Sequence, residues 1–156
     1  MKKGLVALVL SSLFSCTNNV VFQADKEMGK TWHTDSLATF HFQVSDTLSV
    51  YSCKLNIRHT ITYSYQNLYV FVHTTTPKGK TTTDTVNCFL ADKAGKWKGK
   101  GVGNVLNYST TIKEPETYQS SGEYKIEIEQ AMRYGKKSKI EFLNEILSIG
   151  VCIKKY

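Results

Sequence analysis

A chain of 156 residues with 41% hydrophobic and 21% charged side chains and a mean hydropathy of −0.28 holds one globular domain. Neither an integral membrane protein nor a disordered tail has such a composition. The formal charge is +7, a balance that suits anionic lipid, acidic glycan or nucleic acid; the export signal described next argues against chromosomal nucleic acid as a partner.

Met1-Lys2-Lys3 is a short positive head, and residues 4–14 (GLVALVLSSLF) are apolar and uncharged. As a helix this core spans roughly 16 Å, against about 30 Å for the hydrocarbon of a bilayer. It therefore reads as a secretory signal and not as a transmembrane helix. Leu13-Phe14-Ser15-Cys16 resembles the bacterial lipobox, in which an apolar residue at −3 and a small one at −1 precede a cysteine that is acylated before cleavage.

The expected organisation is a lipoprotein signal over 1–15, a lipidated N-terminus and tether over 16–28, and a single domain over 29–156. Cys16 would carry diacylglycerol and an N-acyl chain such as palmitate, and two or more acyl chains anchor stably. Thr17-Asn18-Asn19 contains no Asp at +2 and no acidic cluster, which implies an outer-membrane anchor facing the periplasm. No other cofactor and no metal is expected. The three remaining cysteines, Cys53, Cys88 and Cys152, are odd in number and lack C-x-x-C spacing. They read as small buried hydrophobes, and strand geometry decides whether any two could pair.

Alternation of apolar and polar residues then recurs along the chain, the mark of half-buried strands. Phe40, Phe42 and Val44 alternate with polar residues, as do Tyr51, Cys53, Leu55 and Ile57. Residues 68–73 (LYVFVH) are apolar on both faces, which predicts a central strand covered on both sides. Thr76-Pro77-Lys78-Gly79 and Asp92-Lys93-Ala94-Gly95 predict turns, with a strand over about 82–91 between them.

Leu106, Tyr108, Thr110 and Ile112 share a face of the next strand, which Pro115 should end. Tyr124, Ile126 and Ile128 alternate with Glu123, Lys125, Glu127 and Glu129. Ile140, Phe142, Leu143, Ile146 and Leu147 predict a short helix near 140–148, and Ile149, Val151 and Ile153 the last strand. Seven or eight such strands predict an all-β, antiparallel, jelly-roll-like sandwich.

Chemistry is sparse. His33, His41, His59 and His73 lie in separate segments and the carboxylates are dispersed, so the sequence shows no nucleophile with its base, no carboxylate pair and no metal cluster. The chain reads as a non-enzyme. Gly99, Gly101 and Gly103 alternate but no helix pattern follows, as a phosphate loop would need; a bend or bulge is the expected use. Lys93, Lys96, Lys98 and Lys100 surround Trp97, in either a contact loop or a solvated hairpin with Trp97 folded on the core.

Read in order, several segments resemble the GldH gliding-motility lipoprotein family of the Bacteroidetes. They are Trp32 ahead of Phe40-His41-Phe42, then Asn56-Ile57-Arg58-His59-Thr60, Tyr63-Ser64-Tyr65-Gln66-Asn67-Leu68 and Asp84-Thr85. Leu90-Ala91-Asp92 with Gly95-Lys96-Trp97-Lys98-Gly99, Gly122-Glu123-Tyr124, Gln130-Ala131-Met132-Arg133 and Ile149-Gly150-Val151 complete the set. The basic connection Tyr134–Lys139 departs from the pattern.

The resemblance implies a lipid-anchored envelope protein, needed in gliding relatives for movement over surfaces and associated with the related secretion machinery, with envelope proteins as partners and no known enzyme activity. Because non-gliding Bacteroidetes carry homologues too, motility does not transfer with the likeness. Arg58, Tyr65, Trp97 and Arg133 are the candidate contacts to a partner or ligand. For at least one of the two arginines a structural bond to a carboxylate is the favoured role. A glycan or small-ligand binding module is the alternative, and two exposed aromatic rings in a concave pocket would favour it.

Overall fold

The computed structural model describes residues 19–136 and 139–156. The expected signal and Cys16 lie outside them. Among the described residues eleven strands and no helix occur, and the strands form two main antiparallel sheets and one small ribbon.

The five-stranded sheet has the order β1-β11-β4-β8-β7, from β1 (Val20–Glu27), β4 (Val50–Thr60), β7 (Lys100–Val102), β8 (Val105–Thr117) and β11 (Ile146–Lys155). The four-stranded sheet has the order β3-β9-β5-β6, from β3 (Ala38–Val44), β5 (Asn67–Thr75), β6 (Thr81–Phe89) and β9 (Gly122–Gln130). The ribbon pairs β2 (Thr31–His33) with β10 (Phe142–Asn144).

The period-2 pattern turns one face of each sheet inward. Leu55, Ile57, Ile149, Val151 and Ile153 from one sheet share a single core with Phe40, Leu68, Val70, Val72, Ile126 and Ile128 from the other. Aromatic rings join the layers: Phe22 lies 5.9 Å from Phe42, and Phe42 5.7 Å from Tyr118. The ribbon adds Trp32, fully buried with its indole N–H donating to Ser36 O at 2.6 Å, and Leu143. The sandwich expected from sequence is the architecture found.

Four local expectations are corrected. The helix near 140–148 is β10 followed by β11. Glu145, between them, takes φ 71°, which flips the chain and resets its alternation, so Leu143 and Ile146 both face inward at a spacing that imitates a helix.

The supposed tether contains β1, which pairs with β11 from Val20 to Glu27. It looked polar because an edge strand buries little and turns Gln23, Asp25 and Glu27 outward. Pro115 lies inside β8, where β8 has passed the end of β7 and its free edge leaves no ladder bond for Pro to lose. Finally, β5 is an interior strand, but only Leu68, Val70 and Val72 are covered; Tyr69 and Phe71 face outward from an open sheet.

Register fixes two ends of the molecule. One end holds Asn19, the loops 45–49, 76–80 and 118–121, and Tyr156; the opposite end holds the loops 61–66, 90–99, 103–104 and 131–141.

Candidate functional site

Among the described residues no group of His, Cys, Asp and Glu comes together to hold a metal ion. Thr83 Oγ1, His73 and Glu129 do form a chain, at 2.9 Å to His73 Nδ1 and 3.1 Å from His73 Nε2. Their order matches nucleophile, base and orienting acid. They sit across β6, β5 and β9 on an open sheet face, however, which is the geometry of ordinary cross-strand pairing.

Two of the four candidate contacts converge. Tyr65, in the turn before β5, and Arg133, beyond the end of β9, line one groove of about 550 Å³ on the outer face of the four-stranded sheet. That size is typical of ligand pockets. Its floor is Tyr69 and Phe71, with Thr85 of β6 on one flank and Ala131 to Tyr134 on the other.

Local hydrogen bonds build this wall. Ala131 N–H donates to Tyr69 O at 2.8 Å and Tyr69 N–H to Met132 Sδ at 3.3 Å, so the chain beyond β9 runs on beside β5. Gln130, buried, accepts from Met132 N–H and donates to Ile140 O, which fixes both ends of the 131–141 loop. At the groove's end Tyr65 packs edge-on against Tyr63, 5.6 Å away, whose buried hydroxyl donates to Asn67 O. Tyr69 is 40% exposed and Tyr134 69%. Among the described residues no carboxylate lies within ion-pair distance of Arg133.

The remaining two candidates lie elsewhere. Arg58, exposed on β4, stands 3.9 Å from Glu27 of β1 and lines a second, polar groove of about 650 Å³ with Gln23, Asp25, Asn56, Asn107 and Ser109 on the five-stranded sheet. Its long, exposed ion pair adds little to stability.

Trp97 is half-buried and packed on the core, bridged to Ala91, with its ring 4.9 Å from that of His59. The hairpin role is therefore the one observed, while Lys98 reaches over the exposed Phe89 ring at 5.6 Å. Gly101 allows close approach to Val105 O within the β7–β8 hairpin, and Gly103, at φ 65°, makes the bend that the glycine alternation predicted. Cys53, Cys88 and Cys152 are free and buried.

His59 has no solvent exposure; its Nδ1–H donates to Thr60 O at 2.9 Å and Nε2 meets no partner among the described residues. Desolvation holds its pKa below the usual histidine value, so the ring is neutral.

Sequence reasoning missed Tyr69, Phe71 and Tyr134. The signal was present in 68–73, where aromatic residues occupy one phase and aliphatic residues the other, a division of labour between a contact face and a core face.

The model of the GldH lipoprotein family matches residues 20–153. The gliding motility lipoprotein GldH of Flavobacterium johnsoniae is 33% identical over 153 residues, 97% of this chain and 95% of that protein. A GldH homolog of Christiangramia forsetii is 34% identical over 142 residues, 90% and 87% of the two chains. No solved structure matches. The chain belongs to the GldH lipoprotein family.

Proposed function

We propose that this protein is a lipid-anchored envelope component, attached at Cys16 to the outer membrane and facing the periplasm, that acts without catalysis as a structural or assembly part of a gliding-motility or secretion-type complex. The observation that carries the reading is the likeness along nearly the whole chain to the F. johnsoniae motility lipoprotein, a match long enough to reach across Cys16. The groove of Tyr65, Tyr69, Phe71, Arg133 and Tyr134 supports it: Tyr, Met and Arg around a partly apolar hollow are the residue types in which protein interfaces concentrate their energy.

Deletion in a gliding relative, followed by assays of spreading and secretion, tests the role, with loss of both expected; normal spreading and secretion would overturn it. Labelling with an acyl-chain probe tests the anchor, and Cys16→Ser should abolish incorporation.

The groove also favours a second reading, a glycan or small-ligand binding module, because Tyr69 and Tyr134 supply two exposed rings in one concavity. Affinity capture from native envelopes separates the two: a stable set of proteins supports the assembly role, and glycan retention without proteins supports the module.

A further inference from the structure

The two ends of the sandwich differ in what they expose. At the end where the described chain begins, Val20, Val21, Leu48, Val50 and Tyr156 all leave large apolar surface in water. Backbone bonds tie them into one cluster: Lys155 N–H donates to Asn19 O at 2.7 Å and Tyr156 N–H to Val50 O at 2.9 Å.

Leu48 is the most prominent, 91% exposed at the tip of the β3–β4 loop. The loop is rigid. Asp46 Oδ1 accepts from Leu48 N–H at 2.9 Å and Ser49 N–H at 3.2 Å, its Oδ2 accepts from Ser49 Oγ at 2.6 Å and Lys155 Nζ at 2.7 Å, and Tyr51 OH donates to Asp46 O at 2.7 Å. A turn pinned by the Asp46 hydrogen bonds thus holds an aliphatic side chain away from the core.

Charge follows the same pattern. Asp46 is paired with Lys155, Asp84 and Glu116 share Lys113 at 3.5 and 3.7 Å, and Glu123 lies 3.3 Å from His41. Among the described residues Lys78, Lys80 and Lys154, around the same end, have no acidic partner within ion-pair distance; Glu114, on the flank, is an acid without a base. Apolar tips, a terminal tyrosine and spare lysines are what an interfacial surface presents to a bilayer.

Chain length decides the occupant. Cys16 is three residues before Asn19, so their Cα atoms are at most about 11 Å apart. We propose that this end of the sandwich rests on the anionic membrane surface, with Leu48 entering the headgroup region and Lys78, Lys80 and Lys154 meeting lipid phosphates. This orientation rests on the reading of Cys16 as the lipidated residue. It sets the Trp97 loop at the opposite end, roughly 35 Å outward along β4, whose 11 residues rise about 3.3 Å each, and the aromatic groove on the sheet's outer face toward that end.

Val102 supplies the control. It is 93% exposed at the β7–β8 hairpin tip, as apolar and as prominent as Leu48, but at the opposite end. The full-length lipidated protein is reconstituted into phosphatidylethanolamine–phosphatidylglycerol vesicles carrying nitroxide lipid, with an environment-sensitive fluorophore on Leu48→Cys or on Val102→Cys. The buried native thiols stay unlabelled, and circular dichroism confirms that each variant is folded.

Emission at position 48 should shift to the blue and be quenched at least threefold more than at position 102. Equal quenching, or a water-like spectrum at 48 in protein whose mass shows the lipid, overturns the orientation and leaves the anchor standing. Protein whose mass shows no lipid overturns the anchor reading, and the orientation falls with it.

Discussion

Asp25 lays its carboxylate over Gly150 in the neighbouring strand, filling the space that a Cβ there would need. The two are register partners, and Asn56 of β4 stands opposite the same glycine from the other side. A strand interior normally disfavours glycine; here its bare Cα leaves room on the outer face of the sheet for the Asp25 carboxylate to lie across the neighbouring strand. Gly150→Ala should destabilise the fold by about 1–2 kcal/mol through overpacking. The same change in an Asp25→Ala background should cost no more than about half as much, and chemical denaturation of the four proteins of this cycle measures the difference.

The groove is predicted to act as a contact surface whose loss leaves the fold intact. Tyr69→Ala, Arg133→Ala and Tyr134→Ala each remove an outward side chain, so the thermal midpoint should change by little. Binding of whatever partner is captured from envelopes should weaken by about 2 kcal/mol per central residue, or roughly 30-fold. Arg58→Ala, in the polar groove, is the comparison; titration of the captured partner against all four variants tells which groove is used.

His59 makes stability depend on pH in a defined direction. The folded ring is neutral with its pKa held below the ordinary 6.5, while the unfolded chain takes up a proton at about that value. Unfolded protein therefore binds more protons below pH 6.5, and stability is lost as pH falls through that point, by at most about 1.4 kcal/mol per pH unit. Above it the contribution is constant. Asp46, whose carboxyl is held well below its usual range first by Lys155 and then by Ser49, acts only in the more acidic window below about 4, so the two are separable. In His59→Asn, whose amide can still donate to Thr60 O, the slope between pH 5 and 6.5 should flatten in denaturation curves taken across that range.

The three buried thiols are predicted to be inert. Burial pushes Cys53 and Cys88 up to about 12, so almost no thiolate exists at neutral pH, and the thiolate is the reactive form. An aromatic disulfide reagent should react with none of Cys53, Cys88 and Cys152 in the native protein and with all three in denaturant. Reducing agent should leave the thermal midpoint unchanged.

Strands whose two faces meet unlike surroundings were legible one residue at a time. Tyr124, Ile126 and Ile128 alternate with charged residues because β9 has one face in the core and one in water, and the same holds for Phe40 and Phe42 in β3. Where that contrast fails, the pattern fails too. Residues 140–148 imitate a helix because positive φ at Glu145 shifts the phase between two short strands, and β1 reads as a polar tether because an edge strand has few neighbours. Tyr69 and Phe71 look like core because hydropathy does not distinguish a ring packed inside from one displayed on a surface.

The candidate residues divide in the same way. Arg133 and Tyr65 stood out by type and by family resemblance, but nothing in the chain announced that β5 and the segment after β9 run side by side and bring the two into one groove. The all-β class and the family were determined by the sequence alone, since each depends on local composition or on residues in order, and the same kind of reading predicts the export signal and the lipobox at Cys16. Tertiary structure alone decided which aromatic rings remain in water and which end of the sandwich carries Leu48 beside Asn19, because both follow from long-range register, where residues far apart in the chain become neighbours.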